Sequence, residues 1–248
     1  MENELRPIWG RLFNLNWKFG FFLILIICIP RFILVLNANY LGSYGPSIAL
    51  IMTISAIAPF VFLTKNGRRE IGIIKPQNFK WLLIGFACGL LASFALYFIG
   101  KILYDNSYQN WYQYIGRLYN IPANITQTDK KIMFAIVAIT SMIFSPIGEE
   151  LFFRGIVHSS FAKSIGEKKA TWVDGSAFAL THISHFGIVF VNNKWDFFTI
   201  PTIIWVTSMF LMSLLFYTFR KKSNSILGAI LCHSAFNLVM TFCIFYLL

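Results

Sequence analysis

Apolar runs long enough to cross a membrane recur along the whole chain. They cover roughly residues 19–36, 45–64, 80–103, 132–153, 171–191, 199–218 and 225–247. A hydrocarbon core of about 30 Å needs about 20 apolar residues per helix, and in lipid only helices and closed barrels satisfy every backbone polar group. The runs are too uniformly apolar for the alternating pattern of barrel strands. The pattern therefore predicts an all-α polytopic bundle of about seven transmembrane helices, or eight with an extra interfacial or broken helix.

The composition agrees with a bilayer location. Of the 248 residues, 57% are hydrophobic and only 12% are charged, and the mean hydropathy of +0.64 is too high for an ordinary soluble domain. We therefore expect a single integral membrane domain over residues 1–248, with its chemistry in a core at about 130–247. The four cysteines lie inside apolar runs without CxxC spacing, which indicates neither a disulfide framework nor a thiolate metal site.

The basic residues predict an orientation. The net charge of +11 arises from short clusters between apolar runs rather than from one basic face, which argues against a nucleic-acid partner. Loops rich in Lys and Arg stay in the cytoplasm. One side carries Arg6, Arg11, Lys18, Lys65, Arg68, Arg69, Lys75, Lys80, Arg154, Lys163, Lys168, Lys169, Arg220, Lys221 and Lys222, and the other carries only Arg117, Lys130, Lys131 and Lys194. The N-terminus is predicted to be cytoplasmic and the C-terminus outside. The aromatic outer loop at about 104–129 is predicted to lie on the membrane surface as a short helix.

Three of the later runs contain polar residues where lipid-facing residues are expected. A charged side chain at the centre of a span costs roughly 2.5 to 3.5 kcal/mol, so such residues usually line a cavity or a reaction centre. They are Glu149, Glu150 and Arg154 in the fourth run, Thr181 and His182 in the fifth, and His233 and Asn237 in the seventh. This placement predicts a membrane enzyme or transporter.

The depths of these residues indicate one shared site. At 1.5 Å per residue, His182 lies about 16 Å and His233 about 12 Å from the same, cytoplasmic end of the bundle. Glu149 comes near the end of a fourth helix that is expected to continue past Phe153. We therefore predict that the three side chains meet in a cavity open to the cytoplasm. His185 could also face this cavity, and His158 is predicted to be interfacial.

The residue types suggest two forms of hydrolytic chemistry. In the first, Glu149 and His182 activate water, while His233 and the amide of Asn237, one helical turn later, stabilise a developing oxyanion. In the second, zinc is bound by Glu149, His182 and His233. There is no HExxH motif, and the spacing leaves both forms open.

Neighbouring side chains are expected to support the site. Glu150 and Arg154 are four residues apart and can pair on one helix face, while Glu149 points about 100° away. Phe178 stands four residues before His182 and is expected to pack beside its ring.

The ordered motifs Glu149-Glu150-Leu-Phe-Phe-Arg154, Phe178-Ala-Leu-Thr-His182 and His233-Ser-Ala-Phe-Asn237 resemble those of the CPBP family. This family comprises the type II CAAX-prenyl endopeptidases and the bacteriocin-processing proteins, also called Abi proteins. The resemblance covers residues 146–237. It implies an intramembrane endopeptidase acting on a membrane-associated peptide or protein, in which Glu149 polarises water with the help of His182.

The resemblance also implies the remaining roles. His233 and Asn237 would form the oxyanion hole, and Glu150 and Arg154 would hold the helix in place. No cofactor is favoured, with zinc as the alternative. Membrane lipid and a peptide substrate are the expected partners, and the expected location is a bacterial cell membrane.

Two interpretations from other classes compete with the protease. One is a non-catalytic bacteriocin-immunity or regulatory protein that uses the same scaffold to bind a partner. The other is a proton-coupled transporter with a Glu and His relay. The transporter is disfavoured because the sequence shows neither an internal repeat nor a pair of broken helices.

Overall fold

Helices form nearly all of the structure, a computed structural model that describes residues 4–248. The α-helices are α1 (Pro7–Gly10), α2 (Trp17–Leu41), α3 (Pro46–Phe62), α4 (Lys65–Glu70), α5 (Lys80–Tyr104), α6 (Trp111–Gly116), α7 (Gln127–Glu149), α8 (His158–Ile165), α9 (Glu167–Thr181), α10 (Thr199–Ser223) and α11 (Ile226–Tyr246). A π-helix over Glu150–Val157 joins α7 to α8, a 3₁₀ turn over Arg117–Tyr119 follows α6, and strands β1 (Ile188–Val191) and β2 (Lys194–Phe197) follow α9.

The predicted all-α membrane bundle is confirmed in its main features. Five helical segments are long and apolar enough to cross a membrane, namely Trp17–Leu41, Lys80–Tyr104, Gln127–Ile165, Thr199–Ser223 and Ile226–Tyr246. Helix α3 is apolar but has only 17 residues. The expected continuation of the fourth helix past Phe153 is confirmed, because α7, the π-helix and α8 are continuous. The predicted number of seven spanning helices is not confirmed.

The fifth predicted span is wrong in its second half. Helix α9 ends at Thr181, and β1 and β2 then form an antiparallel hairpin. Asn192 and Asn193, which connect the strands, have φ angles of 52° and 58°. Positive φ at both central residues is typical of the tight turn that suits a two-residue hairpin, and Asn tolerates it well. The apolar run therefore comprises a helix, a turn and a strand.

One end of the bundle carries most of the basic clusters, and we call it the basic end. Leu5 and Leu63 form an isolated antiparallel β-bridge there. The backbone N–H of Gln77 donates to the carbonyl oxygen of Ser223 at 3.0 Å. These contacts bring together the chain before α2 and the connections α3–α5 and α10–α11.

The opposite end is formed by the hairpin, α6 and the connection α2–α3, and we call it the hairpin end. Asn39 Nδ2 donates to the carbonyl oxygen of Ser184 at 2.7 Å, and Arg117 Nη2 donates to that of Asn39 at 3.2 Å. The hydroxyl of Tyr97 donates to the carbonyl oxygen of Leu247 at 2.8 Å. The described chain before α2 and the end of α11 therefore lie at opposite ends of the bundle.

The aromatic outer loop does contain a short helix, but its predicted place on the membrane surface is wrong. Trp111, Tyr112 and Tyr114 of α6 are fully buried. The hydroxyl of Tyr112 donates to the carbonyl oxygen of Ser93 at 2.8 Å, and that of Tyr114 accepts from the backbone N–H of Phe190 at 2.8 Å. Buried tyrosines usually find such partners, so this loop packs into the bundle.

Close packing of α5 on α11 yields a stability prediction. A Cβ added at Gly89 would overlap the carbonyl oxygen of Cys232. Gly89→Ala must therefore push the two helices apart, and overpacking of this kind costs about 1–3 kcal/mol. We expect a lower thermal unfolding midpoint for the purified variant in detergent. The matched control is Gly45→Ala, because no atom lies within 4 Å of its added Cβ; equal midpoints for the two variants would contradict the prediction.

Candidate active site

The two carboxylate oxygens of Glu149 have different surroundings. Glu149 is the last residue of α7 and is only 2% exposed. Its Oε1 accepts hydrogen bonds from Arg31 Nη2 at 2.7 Å and from Ser145 Oγ at 2.6 Å. Its Oε2 has no hydrogen-bond partner among the described residues. One oxygen is therefore fixed in place, and the other remains available as an acceptor.

Arg31 is a site residue that the sequence reasoning missed. It follows Pro30 inside α2 and is 3% exposed. A buried carboxylate is costly without a compensating partner, and Arg31 supplies both the opposite charge and a hydrogen bond. The signal was present in the sequence, since an arginine within an apolar run marks function by the same rule that selected Glu149.

His182 presents one ring nitrogen toward Glu149. It lies immediately after the last residue of α9 and not in the middle of a helix. Its Nδ1 is 2.7 Å from the carbonyl oxygen of Phe178. A carbonyl oxygen only accepts, so Nδ1 carries the proton and, in the neutral ring, Nε2 has a free lone pair. The backbone carbonyl of His182 is held by the indole N–H of Trp205 at 3.0 Å.

The distance between the two free acceptors is 4.0 Å, measured from His182 Nε2 to Glu149 Oε2. This is too long for a direct hydrogen bond. It suits a water molecule that donates one hydrogen to each atom, because such bridges are favourable between polar groups beyond direct contact. The pair can therefore hold a water and accept its proton.

His233 is held by the second glutamate. Its Nδ1 lies 2.8 Å from Glu150 Oε1, and Glu150 Oε2 lies 3.2 Å from Arg154 Nε. Glu150 and Arg154 are completely buried, and the guanidinium also stacks over the Phe178 ring at 4.1 Å. The predicted Glu150–Arg154 pair is thus present as a close charge pair, although it lacks hydrogen-bond geometry.

The segment that contains this pair is π-helical over Glu150–Val157. Short π-helical segments within α-helices often occur at functional sites. Here the change of helix type begins directly after Glu149, and the two neighbouring glutamates have different partners. Glu149 contacts Arg31, and Glu150 contacts His233.

Pro146 connects the same helix to α11. Proline has no backbone N–H, so the carbonyl of Met142 loses its usual donor within the helix. Ser234 Oγ donates to that carbonyl at 2.7 Å. One turn further along α11, Asn237 Nδ2 donates to the carbonyl oxygen of Ser141 at 2.9 Å. The second hydrogen of the Asn237 amide is still available to a ligand.

Phe178 lies between the two imidazoles. Its ring centroid is 4.4 Å from that of His182, as expected, and 6.0 Å from that of His233. Together with Glu149 and Asn237, these residues line a cavity of about 550 Å³. The structure therefore brings the predicted residues of three helices to one place.

His185 lies on the wall of the cavity, whereas His158 lies away from it. His185 lines the cavity, stacks on His182 at 5.3 Å and has Nδ1 3.4 Å from the hydroxyl of Tyr44. His158, predicted to be interfacial, is buried within the protein. His158 is 1% exposed, and its Nδ1 lies 2.5 Å from Asp174 Oδ2. This pair ties α8 to α9 away from the cavity.

The donor set does not fit a zinc ion held by Glu149, His182 and His233. In the part of the chain from residue 4 onward, no group of three or more His, Cys, Asp or Glu side chains could hold a metal ion. The guanidinium of Arg31 already bonds the Glu149 carboxylate at 2.7 Å, and its positive charge would repel a cation at the same carboxylate.

The cavity extends in a different direction from the one expected. The sequence predicts an opening at the basic, cytoplasmic end. Its walls instead include residues of the hairpin end, namely Tyr44, Gly45, Pro46, Leu118 and Tyr119. The catalytic candidates are at the inner part of a cavity that runs toward the hairpin end.

Fold and site together define a polytopic membrane protein with an acid–histidine centre inside the bundle. Residues 131–239 match the model of a family described as Rce1-like, the type II CAAX prenyl endopeptidases. The resemblance to the CAAX protease family is therefore confirmed over the part of the chain that contains Glu149, His182, His233 and Asn237. No curated protein and no solved structure matches the chain.

The buried Arg31–Glu149 pair yields a prediction that does not depend on activity. Arg31→Met leaves the carboxylate uncompensated, and removal of one partner of a buried pair costs about 3–5 kcal/mol. We expect a much lower thermal unfolding midpoint in detergent. The double variant Arg31→Met/Glu149→Gln should recover part of this loss, because an amide carries no charge. Additive losses in the double variant would show that the two side chains do not stabilise each other.

Proposed function

We propose that this protein is an intramembrane endopeptidase that hydrolyses a peptide bond of a membrane-associated peptide or protein without a metal ion. The family match supports a protease that is embedded in the membrane and acts on a peptide or protein. The observation that supports the mechanism best is the pair of free acceptors, Glu149 Oε2 and His182 Nε2, at 4.0 Å.

In the proposed reaction, a water molecule between Glu149 and His182 attacks the carbonyl carbon of the scissile bond. One of the two acceptors takes the proton as the new C–O bond forms, which is general base catalysis. The same proton is then delivered to the amide nitrogen as the C–N bond breaks. The products are a carboxylic acid and an amine, which exchange the second proton of the water to become a carboxylate and an ammonium group, and no other reactant is needed.

His233 and Asn237 stabilise the negative charge that develops on the carbonyl oxygen. Asn237 offers the amide hydrogen that Ser141 does not use, and His233 offers Nε2–H when its ring is doubly protonated. In that form the second ring hydrogen, on Nδ1, is donated to Glu150 Oε1 at 2.8 Å. Donors placed before the reaction in a site of low polarity are effective because they need little reorganisation.

Arg31, Ser145, Glu150 and Arg154 act as positioning residues. The first two fix one oxygen of Glu149 and leave the other directed at the water. Glu150 orients the His233 ring, and Arg154 lies among aromatic rings beside Glu150. Charged groups locked by neighbours in this way maintain the geometry that proton transfer requires.

The competing interpretation is a non-catalytic immunity or regulatory protein on the same scaffold. The protease family match does not favour it. The two interpretations differ in one respect. A protein that protects only by binding keeps full biological protection when Glu149 is replaced by Gln, whereas a protease that protects by cleavage loses it.

Replacement of the proposed base tests the mechanism directly. Glu149→Gln and His182→Ala should each lower cleavage by at least about 100-fold, since general acid–base groups contribute about 10²–10⁴-fold. Comparative peptidomics of cells with wild-type or variant protein at equal abundance measures the effect and identifies the substrate. Glu70→Gln is the matched control, because Glu70 is exposed at the basic end, where it contacts Lys163 at 3.2 Å. An active Glu149→Gln protein would exclude the proposed water activation.

Metal removal distinguishes metal-free hydrolysis from zinc-dependent hydrolysis. We expect cleavage to survive incubation with a strong chelator, and the purified protein to contain far less than one zinc per chain. The reason is that Arg31 already occupies the charge-compensating position beside Glu149. Stoichiometric zinc, together with activity that chelation removes and zinc restores, would establish the metal-dependent alternative.

A further inference from the structure

The opening of the cavity lies between α3 and α7. Ile136, Thr140 and Phe144 of α7 line the cavity and are exposed. They are four residues apart, which places them on one face of the helix. Across the opening, Gly45 and Pro46 at the start of α3 also line the cavity and are exposed. We call these five residues the mouth.

The cavity is closed in the other direction, where α3 and α7 pack tightly. A Cβ added at Gly148 would lie 2.5 Å from the carbonyl oxygen of Met52. Directly beside this contact, the hydrogen-bonded pair of Arg31 and Glu149 forms part of the inner wall. The helices are thus in contact at the level of the catalytic candidates and leave an opening toward the hairpin end.

The mouth offers mainly apolar surface to an incoming chain. Ile136 is 62% and Phe144 45% exposed, and both lie on a helix long and apolar enough to cross a membrane. Exposed apolar surface of this kind contacts lipid tails or an apolar ligand. A substrate segment dissolved in the bilayer can reach these residues without passing through water.

The charges place this mouth on the side away from the cytoplasm. The loops of the basic end contain Lys65, Arg68, Arg69, Lys75, Lys163, Lys168, Lys169, Arg220, Lys221 and Lys222. The hairpin end carries fewer basic residues, namely Lys101, Arg117, Lys130, Lys131 and Lys194; of these, Lys101 is paired with Asp105 at 2.6 Å, and Arg117 stacks on Tyr114 at 4.2 Å. Because basic loops are retained in the cytoplasm, the hairpin end faces outward.

From the position of the mouth and from the outward orientation of the hairpin end, we infer that the substrate reaches Glu149 and His182 from the outer leaflet, through the mouth between α3 and α7. The occupant is a peptide with an apolar segment in the outer leaflet, whose backbone extends inward to the two side chains. This inference rests on the proposed function. It disfavours substrates that are presented only at the cytoplasmic surface.

Thiol labelling tests the side of access independently of catalysis. Ala49→Cys and Thr140→Cys place thiols on the cavity wall and at the mouth, and Gln77→Cys places one on the exposed surface of the basic end. We expect a small membrane-impermeant methanethiosulfonate reagent to modify the first two in intact cells, and to modify Gln77→Cys only in inverted membrane vesicles. Two matched controls are the lipid-facing variant Ile139→Cys on α7 and the wild-type chain, whose native cysteines are not exposed.

Each outcome of this labelling either supports or contradicts access from the outer leaflet. Modification of Ala49→Cys and Thr140→Cys only in inverted vesicles, or from neither side, would overturn it. Modification of Gln77→Cys in intact cells would overturn the orientation on which it depends. None of these results would affect the proposed function, which fails separately if the Glu149→Gln protein still cleaves its substrate.

Discussion

The buried carboxylate of Glu149 accepts hydrogen bonds at Oε1 and has no partner among the described residues at Oε2. The remaining features of the site depend on this asymmetry. Glu149 can stay charged inside a membrane bundle because Arg31 and Ser145 both donate to its Oε1. A buried carboxylate without such partners would be costly. The arrangement leaves Oε2 free beside Nε2 of His182, at 4.0 Å.

Irregular positions in the surrounding helices keep Glu149 Oε2 and His182 Nε2 in place. Pro146 frees a backbone carbonyl that α11 then binds through Ser234, which holds α7 against α11. Glu150, the first residue of the π-helix that follows, contacts His233. Helix α9 ends at Thr181, so that His182 lies in a turn whose backbone Trp205 fixes. Irregular backbone is tolerated at membrane depth where it is buried in protein or lines a cavity.

The sequence was sufficient to predict the residues of α7, α9 and α11 that meet, because polar residues are conspicuous in apolar runs. Arg31 carried the same signal, an ionisable residue within an apolar run, but its pairing with Glu149 could not be predicted because the two residues are 118 positions apart in the chain. The hairpin was missed because its first strand is apolar, although Asn192 and Asn193 mark the turn. The burial of Trp111 in α6 could not be read from composition, since aromatic residues suit both a membrane surface and a core.

Glu149 and His182 are proposed to share one water molecule, and a structure determined in lipid at a resolution that shows ordered waters would reveal it. We expect a water within about 2.6–3.2 Å of both Glu149 Oε2 and His182 Nε2, with Arg31 hydrogen-bonded to the other carboxylate oxygen. A metal ion between the two side chains, or a direct hydrogen bond between them that excludes water, would contradict the proposed water activation.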